Sequence, residues 1–119
     1  MKVVIADDDK VVIRLLSAGL RRSGFEVIPA YDAMQAIMAT MRHLPDILLL
    51  DINMPGGTGI EVIRRVKASS KTTLTPILAM TATATALERD MALELGAMDC
   101  LEKPLDIDEL VLRLNAIAA

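Results

Sequence analysis

A helix-start signature occurs four times in this chain, with short apolar runs between its occurrences. Asp32 with Gln35, Thr58 with Glu61, Thr85 with Glu88, and Asp106 with Glu109 each place a capping oxygen three residues before a side chain that can reach back toward it. The apolar runs Val3–Ala6, Ile47–Leu50, Ile77–Met80 and, more weakly, Met98–Leu101 are too short for self-burying helices and are bounded by turn residues, so they read as strands. A first helix is predicted from Lys10, with Val12, Leu15, Leu16 and Leu20 recurring on its core face until Ser23-Gly24 stops it. Phe25–Ile28 alternates and is broken by Pro29, which suits a strand at a sheet edge. Strand and helix thus alternate five times. Such connections dictate parallel strands with right-handed crossovers and helices on both faces, which also explains why the strands are apolar throughout.

With 119 residues, 53% of them apolar, the chain has material for one core and is read as one domain over residues 1–119. The net charge of -3, with Lys and Arg scattered along the sequence, argues against direct nucleic-acid binding. A single cysteine excludes an internal disulfide, and Asp7-Asp8-Asp9 arrives too soon after Val3–Ala6 for a signal-peptide core. No apolar run approaches the length of a membrane span, so a cytoplasmic protein without a membrane partner is expected. There is no repeat or low-complexity segment, and the nearest to a linker is the polar stretch 69–73.

Parallel sheets of this kind bind ligands at the carboxyl ends of their strands. The strand ends here carry Asp7, Asp8, Asp51, Thr81 and Lys103. Three carboxylates brought together need a cationic counterpart, and magnesium, which takes oxygen ligands in an octahedron and keeps several waters, is the expected one. Asp51 is then the candidate nucleophile, with Lys103 and the metal balancing charge on a transferring phosphoryl group and Thr81 donating a hydroxyl.

Asp7-Asp8 after the first strand, Asp51-Ile52-Asn53-Met54-Pro55 after the third, Thr81-Ala82 after the fourth and Lys103-Pro104 after the fifth carry a resemblance. Over nearly its whole length the sequence resembles the receiver domain of bacterial two-component response regulators, the chemotaxis regulators included. The resemblance implies a flavodoxin-like α/β fold, a doubly wound five-stranded parallel sheet of order 2-1-3-4-5. It also implies that Asp51 accepts a phosphoryl group from a sensor histidine kinase or histidine phosphotransfer protein. Asp7, Asp8, Asp51 and the backbone carbonyl of Asn53 would hold magnesium, Thr81 and Lys103 would contact the phosphoryl oxygens, and the Lys103-Pro104 bond would be cis. Asn53 and Thr83 would tune the phosphoryl lifetime. Phosphorylation would draw Thr81 toward Asp51 and repack the face of the fourth helix, fifth strand and fifth helix, where an output domain or target reads the state. The chain would then be a switch that turns over no metabolite, either freestanding or cut from a longer regulator.

Two positions depart from the family. Cys100 stands at the switch position where most receivers have Tyr or Phe, and a small side chain cannot act as a rotating ring. Arg89, Glu109 and Arg113 occupy positions of the charge pairs through which one subfamily dimerises, but Leu95 stands where an acidic partner would be. A monomer or a phosphorylation-dependent homodimer through that face is expected.

Competing readings are an aspartyl-phosphate phosphatase, a flavin-binding domain and a phosphorylation-independent scaffold. The first lacks an acid two residues after Asp51, where Asn53 stands, and the second would face phosphate repulsion from Asp7 and Asp8. Gly56, Gly57 and Gly59 read as a flexible turn, His43 as a surface residue, Cys100 as a buried small residue, and Met34, Met38 and Met41 as core packing.

Overall fold

In a computed structural model of the chain, which describes residues 1–54, 58–82 and 85–118, each apolar run becomes a strand. The order is β1 (Lys2–Ala6), α1 (Lys10–Arg22), β2 (Glu26–Ala30), α2 (Ala33–His43), β3 (Ile47–Asp51), α3 (Thr58–Ala68), β4 (Ile77–Thr81), α4 (Ala86–Glu94), β5 (Asp99–Glu102) and α5 (Ile107–Ala118). The strands form one parallel sheet of order β2-β1-β3-β4-β5.

The helices begin where the capping residues put them. Asp9 accepts the N–H of Val11 at 2.9 Å, Asp32 that of Gln35 at 2.8 Å, Thr85 that of Glu88 at 3.2 Å, and Asp106 that of Glu109 at 3.0 Å. The side chain of Gln35 reaches back to accept the Tyr31 N–H at 2.9 Å. The predicted capping role of Thr58 lies outside the described side chains.

Strand alternation then divides the core. Val4, Leu48, Leu50, Ile77, Ala79 and Cys100 meet α2, α3 and α4 on one face, through Ile37, Val62, Ile63, Val66 and Ala92. Val3, Ile5, Ile47, Leu49, Leu78 and Met80 meet α1 and α5 on the other, through Ile13, Leu16, Leu20, Leu110 and Leu114. Each fully buried Leu or Ile contributes about 1.5–3 kcal/mol, so both faces are strongly held.

Three expectations need correction. Pro29 does not end β2, which continues to Ala30. An edge strand pairs on one side only, here with Ile5 opposite Pro29, so the missing N–H faces away from the sheet. Leu15 is exposed, because Ile13, Leu16 and Leu20 face the sheet, while Val12 is half-buried and packs against the same core as expected. Met34 and Met38 are also exposed, with Met41 alone of the three packed against the core, since Ala36, Ile37 and Thr40 form the inner face of α2.

The register sets the carboxyl edge. Ala6 lies opposite Leu50, Asp51 opposite Met80, and Thr81 opposite Glu102, which brings the ends of β1, β3, β4 and β5 level. Among the described residues no helix is long and apolar enough to cross a membrane.

Candidate functional site

Asp51 closes β3 and is 3% exposed; Asp7 follows β1 and is fully buried. Two carboxylates in that setting need partners. Lys103, just past β5, supplies an ammonium 2.6 Å from Asp7 Oδ2 and 3.2 Å from Asp51 Oδ2. The other oxygens accept backbone N–H groups, Asp7 Oδ1 from Asp9 at 2.9 Å and Asp51 Oδ1 from Asn53 at 2.8 Å. The Lys103–Pro104 peptide bond is cis.

Burial pushes the Asp51 carboxyl above the usual carboxylate range, and the nearby Asp7 charge adds to this; the Asn53 N–H and Lys103 pull the other way without cancelling it. For Lys103 burial opposes the charged form, but the two carboxylates more than offset it and hold the ammonium above its ordinary value. The lysine therefore stays charged at neutral pH.

Asp8 is exposed and makes the third member of an oxygen cluster. One carboxylate oxygen from each of Asp7, Asp8 and Asp51 lies within 4.8 Å of the others. Hard oxygen donors on two buried walls and one open side fit a magnesium-sized dication that keeps part of its water shell.

Thr81 closes β4, fully buried, and its hydroxyl donates to the Asn53 side-chain oxygen. The Asn53 amide nitrogen in turn donates to Glu88 on α4 at 3.4 Å. Sequence reading assigned Glu88 to the helix cap alone, since nothing local links it to a residue 35 positions away.

Gly59 lies in the first turn of α3, and a Cβ there would meet backbone atoms of Asp51 and Ile52. Pro55, Gly56, Gly57 and Thr83, the latter expected to tune phosphoryl lifetime, lie outside the described residues.

Cys100 is 1% exposed inside β5, opposite Ala79. Arg113, expected as the basic half of an interchain pair, binds Asp99 of its own chain at 2.5 Å. His43 is half-buried, and its carbonyl accepts from Lys2 Nζ at 3.4 Å.

Residues 3–115 match the model of the response regulator receiver domain family. The chain belongs to that family. The receiver domain is similar to a candidate response regulator of Chloroflexus aurantiacus, with 35% identity, 98% of this chain and 96% of the other covered, and a TM-score of 0.90. Chemotaxis protein CheY4 of Vibrio cholerae gives 29% identity over 98% and 97% of the two chains, again with a TM-score of 0.90. The signal receiver domain of a DNA-binding response regulator from Colwellia psychrerythraea gives 26%, 98%, 97% and 0.90. The fold is therefore the flavodoxin-like, CheY-like one, and the family is a signalling module of two-component systems rather than a metabolic enzyme.

Proposed function

We propose that this receiver domain is a magnesium-dependent phosphorylation switch, with Asp51 taking a phosphoryl group from a phosphohistidine of a sensor kinase or histidine phosphotransfer protein. The observation that carries this reading is a buried carboxylate held 3.2 Å from Lys103, with oxygens of Asp7, Asp8 and Asp51 within 4.8 Å of one another at an edge open to solvent through Asp8. A carboxylate oxygen of Asp51 attacks phosphorus, the P–N bond to the donor imidazole breaks, and its electron pair remains on that nitrogen, which takes a proton from water. Lys103 turns from Asp51 to the phosphoryl oxygens, and Thr81 donates its hydroxyl to one of them. Asp7, Asp8, Asp51 and the Asn53 carbonyl would hold magnesium, which when bound neutralises charge on the phosphoryl group.

The donor protein has a fitting surface beside the site. Val12, Leu15, Leu16, Lys103, Pro104 and Leu105 line an apolar groove of about 440 Å³, with Leu15 64% exposed at its rim. A helical partner seated there would bring its histidine to the edge where Asp51 lies. The output is read from α4, β5 and α5, by a target, an attached output domain or a second copy after phosphorylation. Asn53, two residues after Asp51, stands beside the phosphoryl group and tunes its lifetime.

Intact mass after incubation with acetyl phosphate tests the chemistry. The expected result is a gain of one phosphoryl group that requires magnesium and is absent in Asp51→Asn. A gain that persists in that variant, or no gain from either acetyl phosphate or a phosphohistidine donor when magnesium binds, refutes it.

A further inference from the structure

Between α1 and the edge strand β2 runs a groove of about 400 Å³ that the switch chemistry does not use. Helix α1 carries Lys10, Arg14, Arg21 and Arg22 and no acidic residue, in a chain whose net charge is -3. Lys10, Arg14 and Arg21 recur at helical spacing and line the groove together with Ser17, Pro29 and Tyr31. Among the described residues none of those lining it is acidic. Charges that look scattered in sequence are thus gathered on one wall by the helix.

Two features separate this wall from an ordinary solvated basic face. The first is Ser17, which is 4% exposed and whose hydroxyl is the one buried side-chain polar atom without a partner among the described residues. Helical hydroxyls elsewhere in the chain return to the carbonyl four residues back, as Thr40 does to Ala36 at 2.7 Å, but Ser17 does not. A buried hydroxyl left unpaired costs free energy that an arriving acceptor would recover. The second is that the cations are oriented. Arg21 is fixed by a 3.2 Å bond to the Val27 carbonyl, with other guanidinium N–H groups left to donate, and the Lys10 ammonium stands 5.8 Å from the centre of the Tyr31 ring.

We propose that this groove binds a small phosphate-bearing molecule of mononucleotide size. Arg14 and Arg21 hold the phosphate, Ser17 donates to one of its oxygens, and Tyr31 and Pro29 pack the organic body. The volume lies at the small end of known ligand pockets. The site shares no residue with Asp51, Asp7, Asp8, Thr81 or Lys103, so it stands whether or not Asp51 is phosphorylated.

The test is a titration of the uniformly ¹⁵N-labelled full chain with AMP, ribose 5-phosphate and inorganic phosphate, at about 0.15 M salt so that diffuse attraction is screened. Saturable amide shifts from Lys10 to Arg21 and at Tyr31 are expected with AMP. Arg14→Gln and Ser17→Ala should each weaken binding about tenfold, while Asp51→Asn leaves it unchanged. Equal affinity for AMP and ribose 5-phosphate, or tighter binding of AMP, both uphold the phosphate site; the second adds a base against Tyr31. Ser17→Ala should also raise the melting temperature, since it removes an unpaired hydroxyl. Shifts that stay linear to about 10 mM, shifts indifferent to both substitutions, or a lower melting temperature for Ser17→Ala overturn the proposal.

Discussion

Gly59→Ala should damage both the fold and the site, although Ala is the better helix former. A Cβ on Gly59 would lie 2.4 Å from the Cα of Ile52, 2.7 Å from the carbonyl oxygen of Asp51 and 2.9 Å from the carbonyl carbon of Ile52. Carbon atoms rest at about 3.5–4.0 Å, so the start of α3 must move away by about 1 Å. All three obstacles are backbone, and no rotamer change relieves them. Overpacking of this kind costs about 1–3 kcal/mol, and the upper end applies when backbone must shift. Ala returns up to about 1 kcal/mol of helix propensity, which leaves a net loss of about 2 kcal/mol. Gly19→Ala is the matched control, because the atoms nearest its Cβ belong to the half-buried side chain of Ile107 and not to backbone. Its cost and its propensity gain nearly cancel. Thermal melts should place Gly59→Ala about 6–10 °C below Gly19→Ala. Since the displaced atoms include the Asp51 carbonyl, phosphorylation by acetyl phosphate should slow on the order of tenfold in Gly59→Ala and stay unchanged in Gly19→Ala. Equal melting points and equal rates for the two variants would refute the claim that close backbone approach at Gly59 positions Asp51.

Three further outcomes follow from named contacts. Leu15→Asp should slow transfer from a phosphohistidine protein about tenfold and leave acetyl phosphate labelling intact; equal slowing of both donors would remove the apolar groove as the docking surface. Glu88→Ala frees Asn53 from α4, so acetyl phosphate should label the variant about twofold faster, and in an Asn53→Ala background the same change should have no effect on the rate; additive effects in that cycle would dismiss the link. The Arg113 hydrogen bond holds the Asp99 carboxyl below its ordinary value of 3.8, so its stabilisation is present above that pH and is lost as pH falls through the depressed value. Both partners are more than a third exposed, so Asp99→Asn should cost no more than about 1 kcal/mol near neutral pH, with the gap closing in acid; urea melts showing the same gap at pH 7 and pH 2 would contradict this.

What sequence could foretell was set by how local its cause is. A cap needs only residues a turn apart, so Asp32, Thr85 and Asp106 could be placed before any tertiary contact was known. Strand ends were legible for a similar reason: four or five continuous apolar residues leave little freedom in where Asp51 or Thr81 falls. The burial of individual helix residues was not. On α1 the choice between Leu15 and Ile13 depends on the angle at which the helix meets the sheet, and periodicity leaves that angle free by about one residue. Met34 and Met38 went wrong in the same way. The tie from Asn53 to Glu88 and the groove lined by Arg14, Ser17 and Tyr31 each join separate elements, and only the assembled sheet brings their members together.

Cys100 shows why that tie bears on signalling. Burial pushes its thiol above the ordinary value, so it stays protonated and packs as a small apolar group with Ala79, Ala92 and Ala97 in the same core cluster. A site lined by such small side chains has no aromatic ring to swing inward when Thr81 moves. The Thr81 hydroxyl is bound to the Asn53 side chain, which reaches Glu88 in the first turn of α4. That helix is weakly held: of its nine residues only Ala92 is buried, whereas α3 inserts Val62, Ile63 and Val66. Burying an alanine stabilises far less than burying a valine or isoleucine, so α4 is the element that a single broken hydrogen bond can shift. Among the described helices α4 is thus the one with fewest buried residues, and it is the one linked to Thr81 through Asn53.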